Sequence, residues 1–167
     1  MINMELITKA AIIATLVGND VWYVHWNAKG DKFDQIHNIS YNYYDTLARE
    51  TDDLMEFSMD LGVPVINLSN ALAYIPDYKP EIESQYMWDG AIQVFKSKLP
   101  LYTNTLQELR DTTTRSDIQS RIDEWLQYWN KELNYKLVRR SNSNQLYGFY
   151  DSGLDTALAN QFTIAPR

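Results

Sequence analysis

At 167 residues, 45% of them hydrophobic and 22% charged, the chain suits one globular domain long enough to bury a sizeable core. It has no cysteine, which excludes disulfides, cysteine-ligated zinc and thiol nucleophiles and suits a reducing compartment. The formal net charge is −7 with no lysine-rich arm at either end, a balance that disfavours nucleic acid as a partner and favours attraction of cations.

The first predicted helix covers about residues 3–27, where Leu6, Ala10, Ile13, Val17, Val21 and Val24 recur at spacings of three and four. Its apolar run "AAIIATLV" is far shorter than a membrane span, and Asp20 follows it without a small-residue cleavage pattern. The expectation is a buried helix face in a cytoplasmic protein. A break at Asn27, Lys29, Gly30 and Asp31 leads into a second helix over about 32–61, closed by Gly62 ahead of Pro64. Its apolar stripe is Ile36, Tyr43, Leu47, Leu54 and Leu61.

The link over 63–84 carries three prolines and is long for a simple loop; it either crosses the bundle or holds a short helix such as "NLSNALAYI". A third helix is expected over roughly 82–110, with Trp88, Ile92, Phe95, Leu99, Tyr102, Leu106 and Leu109 inward and Pro100 kinking it. Ser116 or Asp117 can cap a fourth, whose stripe is Ile118, Ile122, Trp125, Trp129, Leu133 and Leu137. Beyond Arg140 the periodicity is lost. We therefore expect a bundle over 1–140 and a tail over 141–167 packing on the bundle or on a neighbouring subunit. Four long helices with one long second-to-third connection predict an all-α, ferritin-like bundle rather than an up-down-up-down one.

Both histidines, His25 and His37, lie twelve residues apart around the first break, and Asp52, Asp53 and Glu56 follow on the second helix. On a helical wheel His37, Tyr41, Asp52 and Glu56 share one flank about 100° wide, away from the apolar stripe. His37 and Asp52 are nevertheless about 22 Å apart along that helix, too far to share an ion whose ligand bonds are about 2 Å long. A two-fold dimer with antiparallel second helices would bring His37 of one subunit to Asp52 and Glu56 of the other, in two equal sites that His25 can join. Each of these residues alone reads as an ordinary solvated side chain; only the joint arrangement favours a metal. An in-bundle di-iron site is excluded, because it needs Glu-x-x-His on two helices and Trp22 and Asp34 stand three before the histidines.

"HWNAKGDKFDQIH" followed by "TDDLMEFSMDLG" resembles the signature of the Dps family, the dodecameric mini-ferritins named for DNA binding in starved cells. The resemblance rests on His25, Trp26, Asn27, Gly30, Phe33, His37, Asp52, Glu56 and Gly62, covers about a quarter of the chain closely, and extends loosely to "EWLQYWNKELNYKLVRR". It implies a ferroxidase site between two-fold related subunits, with His25 and His37 from one and Asp52 and Glu56 from the other. It also implies Fe(II) as the bound metal, hydrogen peroxide as oxidant, and ferric mineral stored inside a closed shell. Trp26 would pack beside the site or simply fill an interface.

Two departures qualify this. Where the family usually has a carboxylate four residues after the second histidine, this chain has Tyr41, so activity is expected to be weakened or lost unless Asp34 or Asp45 compensates. Family members that bind DNA often use lysine-rich arms, which are lacking, while Arg139, Arg140 and Arg167 read as solvated or paired. Three functions therefore compete: an iron-oxidising, iron-storing mini-ferritin, a non-enzymatic shell protein with a degraded site, and a DNA-compacting protein.

Overall fold

The structure, a computed structural model, describes residues 2–141, with side chains from Leu6 onward. The predicted tail over 142–167, Arg167 included, lies outside the described residues. Four long helices, α1 (Ile2–Asn27), α2 (Phe33–Asp60), α4 (Trp88–Thr112) and α5 (Ser116–Lys131), are joined by two short turns and one long link. The link holds a 3-10 turn, Leu68–Asn70, and the one-turn helix α3 (Ala71–Tyr74), the place expected for a short helix. A π-helical turn (Glu132–Leu137) continues α5 into the short α6 (Val138–Ser141).

Helix directions follow from cross-helix pairs. Tyr43 meets Glu132, Glu50 meets Trp129 and Asp53 meets Arg121, so numbers fall along α5 as they rise along α2 and the two run antiparallel. Tyr43 packs on Phe95 and Glu50 bonds Tyr102, so α2 and α4 run the same way. Only a long crossover permits that, which is the connectivity expected for a ferritin-like bundle.

The predicted stripes lie in the core. All six α1 positions are buried, as are Ile36, Tyr43, Leu47 and Leu54 of α2 and the α4 set from Ile92 to Leu109. Leu61 and Trp88 are half-buried against it. The C-terminus of α2 is closed by a Schellman arrangement: Gly62, at φ 71°, donates its N–H to Met59 O, and Val63 donates to Ser58 O.

Three details differ from expectation. The third long helix starts at Trp88, not near 82, because Tyr86 instead pairs its backbone with the end of α1: its N–H donates to Asn27 O and its carbonyl accepts from Lys29 N. The fourth starts at Ser116 with Arg115 as N-cap and no side-chain cap bond; Asp117 is instead held by Arg115. In the π turn, Glu132 is buried while Leu133 is only half-buried against the core, because the wider i→i+5 spacing shifts the register of the stripe.

The crossover is anchored by a buried acid. Asp20 of α1 accepts the Glu81 N–H at 2.9 Å and the Tyr78 hydroxyl, and pairs with Lys98 of α4 at 3.3 Å. Link, first helix and third long helix are thereby tied at one point.

Candidate metal centre

The five-residue turn between α1 and α2 folds their ends against each other. Gly30 makes this possible: its φ is 96°, and a Cβ there would lie 2.6 Å from Met87 Cε. The turn brings the two histidines together, with ring centroids 3.6 Å apart and planes tilted by 31°.

His25 is buried, and its Nδ1 lies 3.0 Å from His37 O and 3.1 Å from Ser40 Oγ. Ser40 donates its own proton to Ile36 O at 2.7 Å, so its oxygen is free to accept. With a carbonyl and an accepting hydroxyl facing it, Nδ1 carries the proton, and the lone pair of the ring sits on Nε2. That is how metal-binding histidines are commonly held, through the second nitrogen on a backbone carbonyl. Burial lowers the His25 pKa, the charge of His37 adds to this, and the His37 carbonyl opposes both. A neutral imidazole, the form that binds metals, is thus favoured at pH 7.

An aromatic sheath surrounds the pair. Trp22 stacks on His25 at 4.3 Å and 11°, and on Tyr44 at 4.3 Å. Phe33 lies 5.2 Å from the His37 ring, and Tyr41 lies 6.4 Å from that of His25. Trp26 and Tyr41 are 66% and 53% exposed, so much of this cluster opens outward.

Asp52 and Glu56 sit on the far half of α2 and are exposed. Among the described residues no three His, Cys, Asp or Glu side chains come together to hold a metal ion. One chain therefore assembles the two imidazoles and not the two acids, the division that the helix geometry requires. Asp34 and Asp45 are exposed on α2, and Asp45 pairs with Arg49 at 3.2 Å.

Sequence reasoning missed the buried carboxylates. Glu50 Oε2 accepts from Tyr102 Oη and Trp129 Nε1, both at 2.8 Å, and burial pushes its pKa up to about 7. Glu132 Oε2 accepts from Tyr43 Oη at 2.8 Å and lies 3.4 Å from Arg140. Glu50 was detectable, because it lies three after Leu47 and four before Leu54, on the apolar stripe itself. Glu132 was masked: it lies three after Trp129, but the π turn makes the step from it to Leu137 five residues, so an even stripe runs through Leu133 instead.

No family model and no curated protein matches the sequence. Solved structures do match. CAIP of Helicobacter cinaedi aligns with a TM-score of 0.76 at 21% identity, over 83% of this chain and 99% of that one. Antigen TpF1 from Treponema pallidum aligns at 0.76 and 15%, over 84% and 92%. Dps from Staphylococcus aureus aligns at 0.56 and 15%, over 90% and 95%. Among the described residues no helix is long and apolar enough to cross a membrane. The chain has the all-α, ferritin-like bundle fold of these structures, Dps among them.

Proposed function

We propose that the protein is a Dps-like mini-ferritin that binds and oxidises Fe(II) at sites shared between two-fold related subunits and stores the ferric product. In each site His25 and His37 come from one subunit, with Asp52 of the partner subunit and Glu56 of the partner subunit completing it. The observation that carries the reading is the adjacent histidine pair, with the Nδ1 proton of His25 already spent on His37 O and Ser40. Imidazole and carboxylate together suit iron while leaving positions open for an oxidant. Hydrogen peroxide takes one electron from each of two Fe(II) ions and two protons from solvent, giving two Fe(III) and two waters. By resemblance, dimers close into a shell of about twelve subunits in a cytoplasm, and an acidic balance draws cations towards it.

The second reading, a shell protein without efficient iron chemistry, is favoured by one observation: exposed Tyr41 stands where the family usually has a carboxylate. For a DNA-compacting role the described part of the C-terminal stretch offers Arg139, which is exposed, and Arg140, which pairs with Glu132.

Mixed dimers test the main reading. His37→Ala and Glu56→Ala homodimers should each bind little iron. A verified heterodimer of the two places both lesions in one site and leaves the other whole, so half of the wild-type binding should return. No recovery would overturn the shared site. Wild type that binds no Fe(II) at all would leave the shell-protein reading standing.

A further inference from the structure

Tyr41 follows His37 by one turn on the ligand-bearing flank of α2. Its ring lies 6.2 Å from Trp22 and 6.4 Å from His25, inside the cluster that holds the histidine pair. Phe33, Trp22 and Tyr44 fill the other sides of that cluster, yet Tyr41 is 53% exposed, and its hydroxyl makes no hydrogen bond to another described residue. The other inward-leaning tyrosines differ: Tyr43, Tyr78, Tyr86 and Tyr102 each give their proton to a named carboxylate. Tyr41 and Tyr44 are the two phenols of the α1–α2 corner that give no proton to a carboxylate, and of the two Tyr41 is the exposed one on the ligand-bearing flank.

We infer that Tyr41 is a ligand for ferric iron, its phenolate oxygen completing the His25–His37 site once the ion has been oxidised. The inference rests on the proposed iron site and adds a ligand that discriminates between the two oxidation states. Two metal–ligand bonds of about 2 Å each, with the reach of each donor atom from its ring centre, span more than the 6.4 Å between the rings of His25 and Tyr41. The separation of the two rings is therefore within the reach of one ion.

The chemistry sets the order of events. A neutral phenol is a weak donor to Fe(II), so the ferrous ion is held by the imidazoles and the partner's carboxylates. Fe(III) is a stronger acid and prefers hard, anionic oxygen, as in the tyrosine-ligated haem of catalase. On oxidation the Tyr41 O–H bond breaks, an Fe–O bond forms, the proton passes to solvent, and iron stays ferric. A carboxylate at this position would bind both oxidation states, whereas a phenol favours the product. The site should thus retain Fe(III) longer and turn over more slowly than a carboxylate-bearing one.

Phenolate bound to Fe(III) gives a charge-transfer band in the visible that imidazole and carboxylate ligands do not. The protein is loaded anaerobically with one Fe(II) per chain, below mineral-forming loading, binding is measured, and hydrogen peroxide is added. Wild type should develop the band, with tyrosinate ring modes in its resonance Raman spectrum. Tyr41→Phe should bind Fe(II) as wild type does and show no band, while Tyr44→Phe should keep it. Tyr41→Asp should show no band, bind Fe(II) more tightly and oxidise it faster. Fe(II) binding by wild type without a band, or a band that survives Tyr41→Phe, overturns the Tyr41 assignment and leaves the iron site intact. Absence of Fe(II) binding by wild type, or Fe(II) binding that His37→Ala does not alter, overturns the iron reading and this inference with it.

Discussion

The bundle interior and the α1–α2 corner both gather polar groups among aromatic rings, but they settle them differently. In the interior Glu50 is closed by Tyr102 and Trp129, and Glu132 by Tyr43, Lys136 and Arg140, all from the same chain. At the corner only Nδ1 of His25 is closed, while the Tyr41 hydroxyl has no partner among the described residues and Trp26 faces out. A buried polar group left without a partner costs about 1–3 kcal/mol, so the interior must complete its bonds for the chain to fold. The corner is solvated in a single chain and carries no such obligation. Completeness marks the interior as structural, whereas the corner leaves open the groups that the proposed shared site would use.

The largest expected effect tests that assignment through two tryptophans. Trp129 is fully buried and donates to Glu50, so Trp129→Ala opens a cavity and removes a donor from a buried carboxylate. It should cost about 3–5 kcal/mol of unfolding free energy by urea titration. Trp26→Ala, at an exposed position, should stay within about 0.5 kcal/mol under conditions where the protein is monomeric. Comparable costs for the two would erase the distinction between the regions.

This contrast also explains which features were readable in the sequence. The four long helices, the crossover and most core residues followed from apolar spacing, because burial in a helical bundle is periodic. The shared flank of His37, Tyr41, Asp52 and Glu56 was readable for the same reason, and so was the separation that keeps the histidines and the acids apart within one chain. The hydrogen bonding of His25 was not readable. It depends on the turn at Gly30 bringing residues 25, 37 and 40 together, and on Ser40 directing its proton to Ile36 O. The late start of α4 and the inward turn of Glu132 were hidden too. The first depends on Tyr86 pairing with Asn27 and Lys29, the second on one π turn, and neither leaves a periodic trace.

A smaller effect sharpens the interior side. Burial raises the Glu50 pKa to about 7, although the bonds from Trp129 and Tyr102 pull it down. The folded state then keeps a proton that the unfolded state loses near 4.5, so Glu50 withdraws stability as pH rises from about 4.5 through about 7. Glu50→Gln keeps an oxygen for both donors and cannot ionise. Relative to wild type it should be nearly neutral at pH 4 and more stable by about 1–3 kcal/mol at pH 8. A benefit of equal size at both values would mean that Glu50 is not the group titrating in this window.

The smallest effect concerns how firmly the corner holds its histidine. Loss of an outer partner of a metal-binding histidine typically costs 10–100-fold in affinity. Here the Nδ1 proton of His25 faces two acceptors, His37 O at 3.0 Å and Ser40 Oγ at 3.1 Å, and the first belongs to the backbone. Ser40→Ala removes only the second and frees Ile36 O to its helical bond alone. The ring should keep its orientation and its Nε2 lone pair, so Fe(II) affinity should fall by less than about tenfold. Stability should fall by about 1 kcal/mol for the buried hydroxyl. Calorimetric titration of Fe(II) under anaerobic conditions, set beside urea unfolding, separates the two quantities. A loss of affinity beyond tenfold with unfolding barely changed would mean that the hydroxyl, not the carbonyl, fixes the tautomer. The metal-binding state of His25 would then depend on a side chain rather than on the helix backbone.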